Sequence, residues 1–338
     1  MFPLVLAISF RATLFCLLTL VSAGAFAQTA IDDVHITRRE KTVDVATTGY
    51  PSARAGGFAG GALIRTSANL VLVPVSITDG LNRPVLGLDA ENFQLFENKK
   101  AQQIKHFSSE DSPVSVGIIV DTSGSMFCKL DRAREAVAQF CEAANPQDEF
   151  FMITFADTPH LTTDFTTHPE TVENDLLKAR SQGKTSLLDA IYMGIDKLRS
   201  ARYARKALLV LSDGGDNHSR YSERDVKSAI KEADVTIYAV GIYERYVSTE
   251  EELRGPELLR TITELSGGDA FTLTNPNELP TVARNIGTRL RHQYVLAYEP
   301  QSTVRDGKWH KISVKLRLPK RLLMLHVRAR AGFYASGE

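Results

Sequence analysis

Three short stretches of this chain carry oxygen donors suited to a hard cation. The first is Asp121-Thr122-Ser123-Gly124-Ser125, an Asp and two Ser hydroxyls at alternate positions. The second is Gly183-Lys184-Thr185-Ser186, and the third is Ser212-Asp213-Gly214-Gly215. Carboxylate and hydroxyl oxygens, with no Cys or His among them, suit Mg²⁺ before Zn²⁺, with Mn²⁺ or Ca²⁺ as alternatives. Taken singly, Ser123 and Ser125 read equally well as helix caps, and Asp213-Gly214 as a turn. Only convergence of the three stretches would make a site, and that depends on the elements that carry them.

Those elements alternate. Residues 114–120 (VSVGIIV) form an apolar run that ends directly on Asp121, and residues 207–211 form another that ends on Ser212-Asp213. Further strands are expected over 149–155, 236–240 and 270–273. Between them Leu130, Ala133, Val137, Phe140, Cys141 and Ala144 recur at threes and fours, as do Leu187, Ala190, Ile191, Ile195 and Leu198. Both patterns predict amphipathic helices. Ser222 heads a third helix with Val226, Ala229 and Ile230 inside, and residues 256–265 and 279–290 supply two more. Strands apolar on both faces belong to a parallel sheet covered by helices. The expected fold class is therefore α/β with a doubly wound, mostly parallel sheet. In such a sheet ligands bind beyond the carboxyl ends of the strands, where the Asp-bearing stretches would lie.

The flanks have a different character. Residues 69–77, 85–88 and 93–97 read as strands before the α/β block, and 294–298, 309–318 and 323–329 as strands after it, with a turn at Asp306-Gly307. The two flanks are expected to combine into one small β-sandwich in which the α/β domain is inserted. Residues 28–62 are polar and Gly-rich and read as a flexible arm. Residues 1–27 read as a signal peptide: Arg11, the apolar run 12–21, then Ala25-Phe26-Ala27 as a cleavage site. The expected boundaries are thus 1–27 leader, 28–62 arm, 63–110 first part of the β module, 111–292 α/β domain and 293–335 second part of the β module. No later stretch is long and apolar enough to span a membrane. An exported protein, periplasmic or extracellular, is expected.

The 338 residues carry 40 basic and 40 acidic side chains, so no charge imbalance points to nucleic acid. Outside the leader only Cys128 and Cys141 remain, in or beside one helical pattern. At the helical rise they lie too far apart for a disulfide. Cys141 falls on the apolar stripe and is expected to be buried, while the sequence leaves the state of Cys128 undecided, a reactive thiol and an intermolecular partner being the lesser options.

Several catalytic motifs are approached and missed. Gly183-Lys184-Thr185 imitates the end of a phosphate-binding loop, but Lys178 stands where that loop needs Gly and no strand leads in, so nucleotide binding is not expected. Val120-Asp121-Thr122 lacks the Gly of an aspartic protease, since Ser123 follows. Neither Ser123 nor Ser125 has the flanking Gly pattern of a hydrolase nucleophile, and no His-Glu-x-x-His run occurs. His218 reads as a solvated loop residue, and Asp216 and Asn217 as loop polar groups that could tune the site.

The set Asp121-x-Ser123-x-Ser125, Thr185 and Asp213-Gly214, in this order and on these loops, resembles the metal-ion-dependent adhesion site of the von Willebrand factor A (VWA) domain. The resemblance covers about residues 114–292. The flanks, through Val75-Ser76-Ile77-Thr78-Asp79, Pro84-Val85-Leu86-Gly87-Leu88, Phe93 and the end Arg328-Ala329-Arg330-Ala331-Gly332-Phe333-Tyr334, are similar to those of bacterial exported "VWFA-related" proteins of the Acidobacteria type. The resemblance implies that Ser123 and Ser125 ligate Mg²⁺ directly, that Thr185 does so in one state, and that Asp121 and Asp213 act directly or through water. It implies a non-enzymatic module whose metal takes an Asp or Glu carboxylate from a protein partner. It also permits movement of the last helix of the domain. A structural envelope component with a structural metal, and a metal-assisted hydrolase, are the alternatives.

Overall fold

A computed structural model describes residues 70–109, 111–243, 250–300, 307–317 and 325–335. The expected leader and arm lie outside these residues, as does Asp306 of the expected turn. Four strands precede the α/β block: β1 (Val71–Thr78), β2 (Phe93–Glu97), β3 (Lys100–Gln102) and β4 (Ile104–Ser108). The block runs β5 (Ser115–Asp121), α1 (Leu130–Ala143), β6 (Glu149–Phe155), β7 (Pro159–Thr166), α2 (Pro169–Lys178) and α3 (Leu187–Lys197). It continues through β8 (Lys206–Ser212), α4 (Glu223–Glu232), β9 (Thr236–Ile242), α5 (Glu250–Ser266), β10 (Ala270–Leu273) and α6 (Leu279–Arg291). Four further strands follow: β11 (Tyr294–Tyr298), β12 (Trp309–Leu316), β13 (His326–Ala329) and β14 (Gly332–Tyr334).

The central sheet has the order β10-β9-β8-β5-β6-β7, parallel except for β7 at one edge. Every residue of β5 and β9 is buried, as double coverage requires. Alternation along β5 sends Val116, Ile118 and Val120 to a core shared with α1, α2 and α6. Ile119 points the other way, into a core shared with α3, α4 and α5. The chain leaves β5 toward β6 on one side and returns as β8 on the other. The switch in winding direction therefore falls between β5 and β8, and a crevice opens there beyond their carboxyl ends.

The flanking strands interleave. One four-stranded sheet has the order β13-β1-β11-β4, the other β14-β12-β2-β3, so each contains strands from before and after the α/β block. Their inner faces share one core of Val73, Val75, Ile77, Phe93, Leu95, Tyr294, Leu296, Tyr298 and Ile312. This is the sandwich that the pairing of the two flanks predicts. Because β4 leads into β5 and α6 leads into β11, both connections meet the central sheet at its amino edge, opposite the crevice.

That junction is held by directional bonds. The Tyr238 hydroxyl lies 3.3 Å from Ser76 Oγ and 3.2 Å from Gln293 Nε2. Arg289 of α6 is buried, 3.3 Å from Asp269, which also meets Arg328 of β13 at 3.2 Å. Arg289 further donates to the Asn82 carbonyl.

Some elements differ from the sequence reading. Residues 85–88 are not a strand; beside an isolated bridge from Thr78 to Pro84, the Val85 amide donates to the Ile77 carbonyl, and the Tyr294 hydroxyl donates to the Val85 carbonyl and accepts the Leu88 amide. β3, β4, β7, α2 and β14 are additional. β7 is an edge strand whose only buried residue is Thr163, so it lacks an apolar stripe. α5 begins at Glu250 rather than at Pro256, with that proline inside it. Among the described residues no helix is long and apolar enough to cross a membrane.

The turn from α5 to β10 is tightly packed. A Cβ on Gly268 would stand 1.9 Å from the Ile237 carbonyl oxygen, a backbone atom that no rotamer change can move aside. Gly268→Ala is expected to lower stability by about 3 kcal/mol or more, read as a lower urea midpoint at unchanged slope. A variant as stable as wild type would show that β9 yields at this point.

Candidate metal centre

The parallel register sets Val120 opposite Leu211, so Asp121 and Ser212 leave the sheet side by side. The Ser212 hydroxyl donates to Asp121 Oδ2 at 2.6 Å, across the crevice between β5 and β8. Asp121 Oδ1 accepts from the Ser123 amide at 2.8 Å, which curls the loop back over the strand end. Ser123 and Ser125 then face each other, with their Oγ atoms 3.1 Å apart.

The second stretch comes from the loop between α2 and α3 and is pinned to the first. The Gly124 amide donates to the Gly183 carbonyl at 3.0 Å, and the Gln182 amide to the Thr122 carbonyl at 2.8 Å. The Ser181 hydroxyl donates to the Ser123 carbonyl. Gly183 has φ of +85°, in the left-handed region that favours glycine, and a Cβ there would stand 2.7 Å from the Asp157 carboxylate. That carboxylate accepts the Lys184 amide at 2.9 Å.

The third stretch folds over the second. Asn217 Oδ1 accepts the Thr185 amide at 3.0 Å, and the Asn217 and His218 amides both donate to the Thr185 carbonyl. The loop is tied further to α3 by Asp189, whose Oδ1 accepts the Arg220 and Tyr221 amides, each at 2.9 Å. Tyr221 stacks on Tyr192 with ring centroids 3.9 Å apart. Gly214 has φ of +78°; its missing side chain makes room for the Tyr243 hydroxyl and the Gly255 backbone of α5.

Asp121, Ser123, Thr185 and Asp213 are thus buried, with Ser125 exposed. His218 is exposed and Asn217 acts on Thr185. Four participants are not evident from the motif. Ser212 and Asp189 carry one sequence signal each: a hydroxyl adjoining Asp213, and a carboxylate on an otherwise apolar helix face. Lys129 and Tyr243 come into the neighbourhood of Asp213 through tertiary packing. Cys141 is buried and Cys128 exposed.

The electrostatics are those of two carboxylates confined together. Burial pushes the Asp121 carboxyl up to about 7, and the neighbouring Asp213 charge adds to the rise. Burial, then Asp213, also raises the Tyr243 phenol. Asp213 Oδ2 is buried with no hydrogen-bond partner, and the Lys129 ammonium stands 3.6 Å from it. An orphaned carboxylate oxygen beside a second carboxylate fits a bound cation in charge and donor type. Among the described residues no group of three or more His, Cys, Asp and Glu is placed to hold a metal. Any metal here would rely on neutral hydroxyl oxygens beside the two carboxylates.

The α/β part has a von Willebrand factor A-type fold, and the model of the von Willebrand factor type A domain matches residues 116–215. Among solved structures, one similar chain is a von Willebrand factor type A protein from Catenulispora acidiphila, at 14% identity and TM-score 0.47, covering 79% of this chain and 75% of that one. Another is an aerotolerance-related membrane protein from Bacteroides fragilis, at 16% identity and TM-score 0.42, covering 52% and 98%. A third is the vWF domain of a type V pili tip protein from Porphyromonas gingivalis, at 13% identity and TM-score 0.42, covering 52% and 94%. No curated protein matches the sequence.

The raised Asp121 carboxyl has a stability consequence. Its folded-state value, about 7, lies above the ordinary 3.8, so the native state holds a proton that the unfolded chain has released between these values. Its contribution is full below the ordinary value and is lost as pH rises through about 7. Metal-free wild type is expected to lose stability from pH 5 to pH 8 by on the order of 2 kcal/mol more than Asp121→Asn does, in urea titrations of both. Parallel pH profiles for the two proteins would contradict this.

Proposed function

We propose that this chain is an exported, metal-ion-dependent protein-binding module of adhesion type. In this reading Asp121, Ser123, Ser125, Thr185 and Asp213 hold a divalent cation, Mg²⁺ first and Mn²⁺ or Ca²⁺ as alternatives. A carboxylate from an Asp or Glu of a partner protein completes its shell. The observation that carries the reading is the buried Asp213 Oδ2 without a hydrogen-bond partner, on the strand end adjoining that of Asp121.

Oxygen donors of this kind favour a hard cation that keeps about six ligands. Two carboxylates balance a divalent charge, and hydroxyls add none, so the ion stays electrophilic toward an anionic ligand. Ser125 lies at the exposed mouth, and Phe127 two residues on is 75% exposed. A solvent-facing aromatic beside a charged site is the kind of side chain that anchors protein interfaces.

A purely structural metal is the second reading. The loops are already joined by direct bonds, among them Gly124 to Gly183, Gln182 to Thr122 and Asn217 to Thr185. That leaves less for a metal to do as a loop holder and favours the binding role. For a metal-assisted hydrolase, His218, the nearest histidine after Asp213 in the chain, is exposed and reaches Thr185 through its backbone amide.

Calorimetric titration with Mg²⁺ tests the reading. Wild type is expected to bind, and Asp121→Ala to lose roughly a hundredfold or more in affinity while keeping its circular dichroism. Proteins captured from an envelope extract by wild type with Mg²⁺ should be lost with chelator and with Asp121→Ala. Equal Mg²⁺ affinity in both proteins would sink the metal assignment; chelator-insensitive capture would sink the binding role.

A further inference from the structure

Lys129 breaks a local rule. It occupies the N-cap position of α1 and makes no capping side-chain hydrogen bond there. That position normally carries Ser, Thr, Asp or Asn, whose oxygens accept the free amides of the first turn. A cation at a helix amino end also opposes the positive end of the helix dipole. The side chain is moreover buried, at 7% exposure, where an uncompensated ammonium is costly. Asp213 is an acidic group within reach of a positive charge so placed. Lys129 Nζ lies 3.6 Å from Asp213 Oδ2, the same oxygen that has no hydrogen-bond partner. At that distance the ammonium supplies charge without a short directional bond.

We propose that Lys129 is a built-in monovalent cation that competes with the divalent ion for Asp213 and thereby sets the metal affinity of the site. The inference rests on the metal reading of Asp121 and Asp213. In the metal-free protein Lys129 places a positive charge beside the buried Asp213 carboxylate. When a divalent ion enters, it meets a like charge already beside one of its ligands, so binding is weakened. The metal-free fold is correspondingly stabilised.

The test replaces the ammonium with an apolar chain of similar length, Lys129→Met, and uses Lys129→Arg to keep the charge. Mg²⁺ affinity is read by calorimetry, and melting temperature is read in chelator and in saturating Mg²⁺. Lys129→Met is expected to bind Mg²⁺ roughly tenfold more tightly or better. It should melt lower than wild type in chelator and gain more from Mg²⁺, with Lys129→Arg close to wild type. A Lys129→Met protein that folds only with Mg²⁺ would also support the proposal. Equal or weaker Mg²⁺ binding by folded Lys129→Met overturns it and leaves the metal reading intact. If Lys129→Met and Lys129→Gln both fail to fold with and without Mg²⁺, the lysine is structural only and the proposal falls. If wild type and variant alike bind no Mg²⁺, the metal reading falls and this inference with it.

Discussion

Two carboxylates end neighbouring strands of a buried sheet, and much of the surrounding structure answers their repulsion. Asp121 and Asp213 are both nearly sealed from water, so solvent screens neither. The Ser212 hydroxyl and the Ser123 amide stabilise one, and the Lys129 ammonium faces the other. Each of these groups costs something locally: a tight turn after β5, a left-handed Gly214 after β8, a lysine at the wrong end of α1. Local frustration gathered at one place is typical of a functional site rather than of a stabilising core.

The loops around this pair form a closed set of mutual constraints. The first stretch is bonded to the second, the second to the third, and the third back to α3 through Asp189 and the Tyr192–Tyr221 stack. In the proposed metal reading, such a network would hold the donor oxygens in place before a ligand arrives and so reduce the ordering cost of binding. The opposite edge of the domain is anchored as firmly. Arg289 near the end of α6 is buried against Asp269 and the Asn82 carbonyl, and Gln293 reaches Tyr238 just before β11 begins. The carboxyl end of α6 is therefore part of the joint with the sandwich. A displacement of that helix, which the family resemblance permits, would have to separate the buried Arg289 from the half-buried Asp269 as well as slide apolar surface.

The sandwich solves a connection problem. Its two sheets each mix strands from both sides of the α/β block, so neither flank could complete a core alone. Entry and exit of the α/β block thus lie together at the amino edge of the central sheet, leaving the carboxyl edge, with its crevice and exposed Phe127, clear of the sandwich.

Sequence alone determined the class of fold and the residues worth watching. The apolar runs ending on Asp121 and Ser212 marked buried strands whose carboxyl ends carry oxygen donors, because period and polarity are local properties of the chain. The edge strand β7 escaped notice since its exposed faces remove the apolar signal, and residues 85–88 misled because an apolar run does not by itself supply a partner strand. What only tertiary structure decided is which strands adjoin. The order that sets β5 beside β8 brings Asp121 to Ser212, and the fold of α1 brings Lys129 to Asp213. These contacts span tens of residues in sequence, and no spacing rule along the chain encodes them. They arise from burial of both faces of a sheet, which fixes register, and register then fixes which charges must share a crevice.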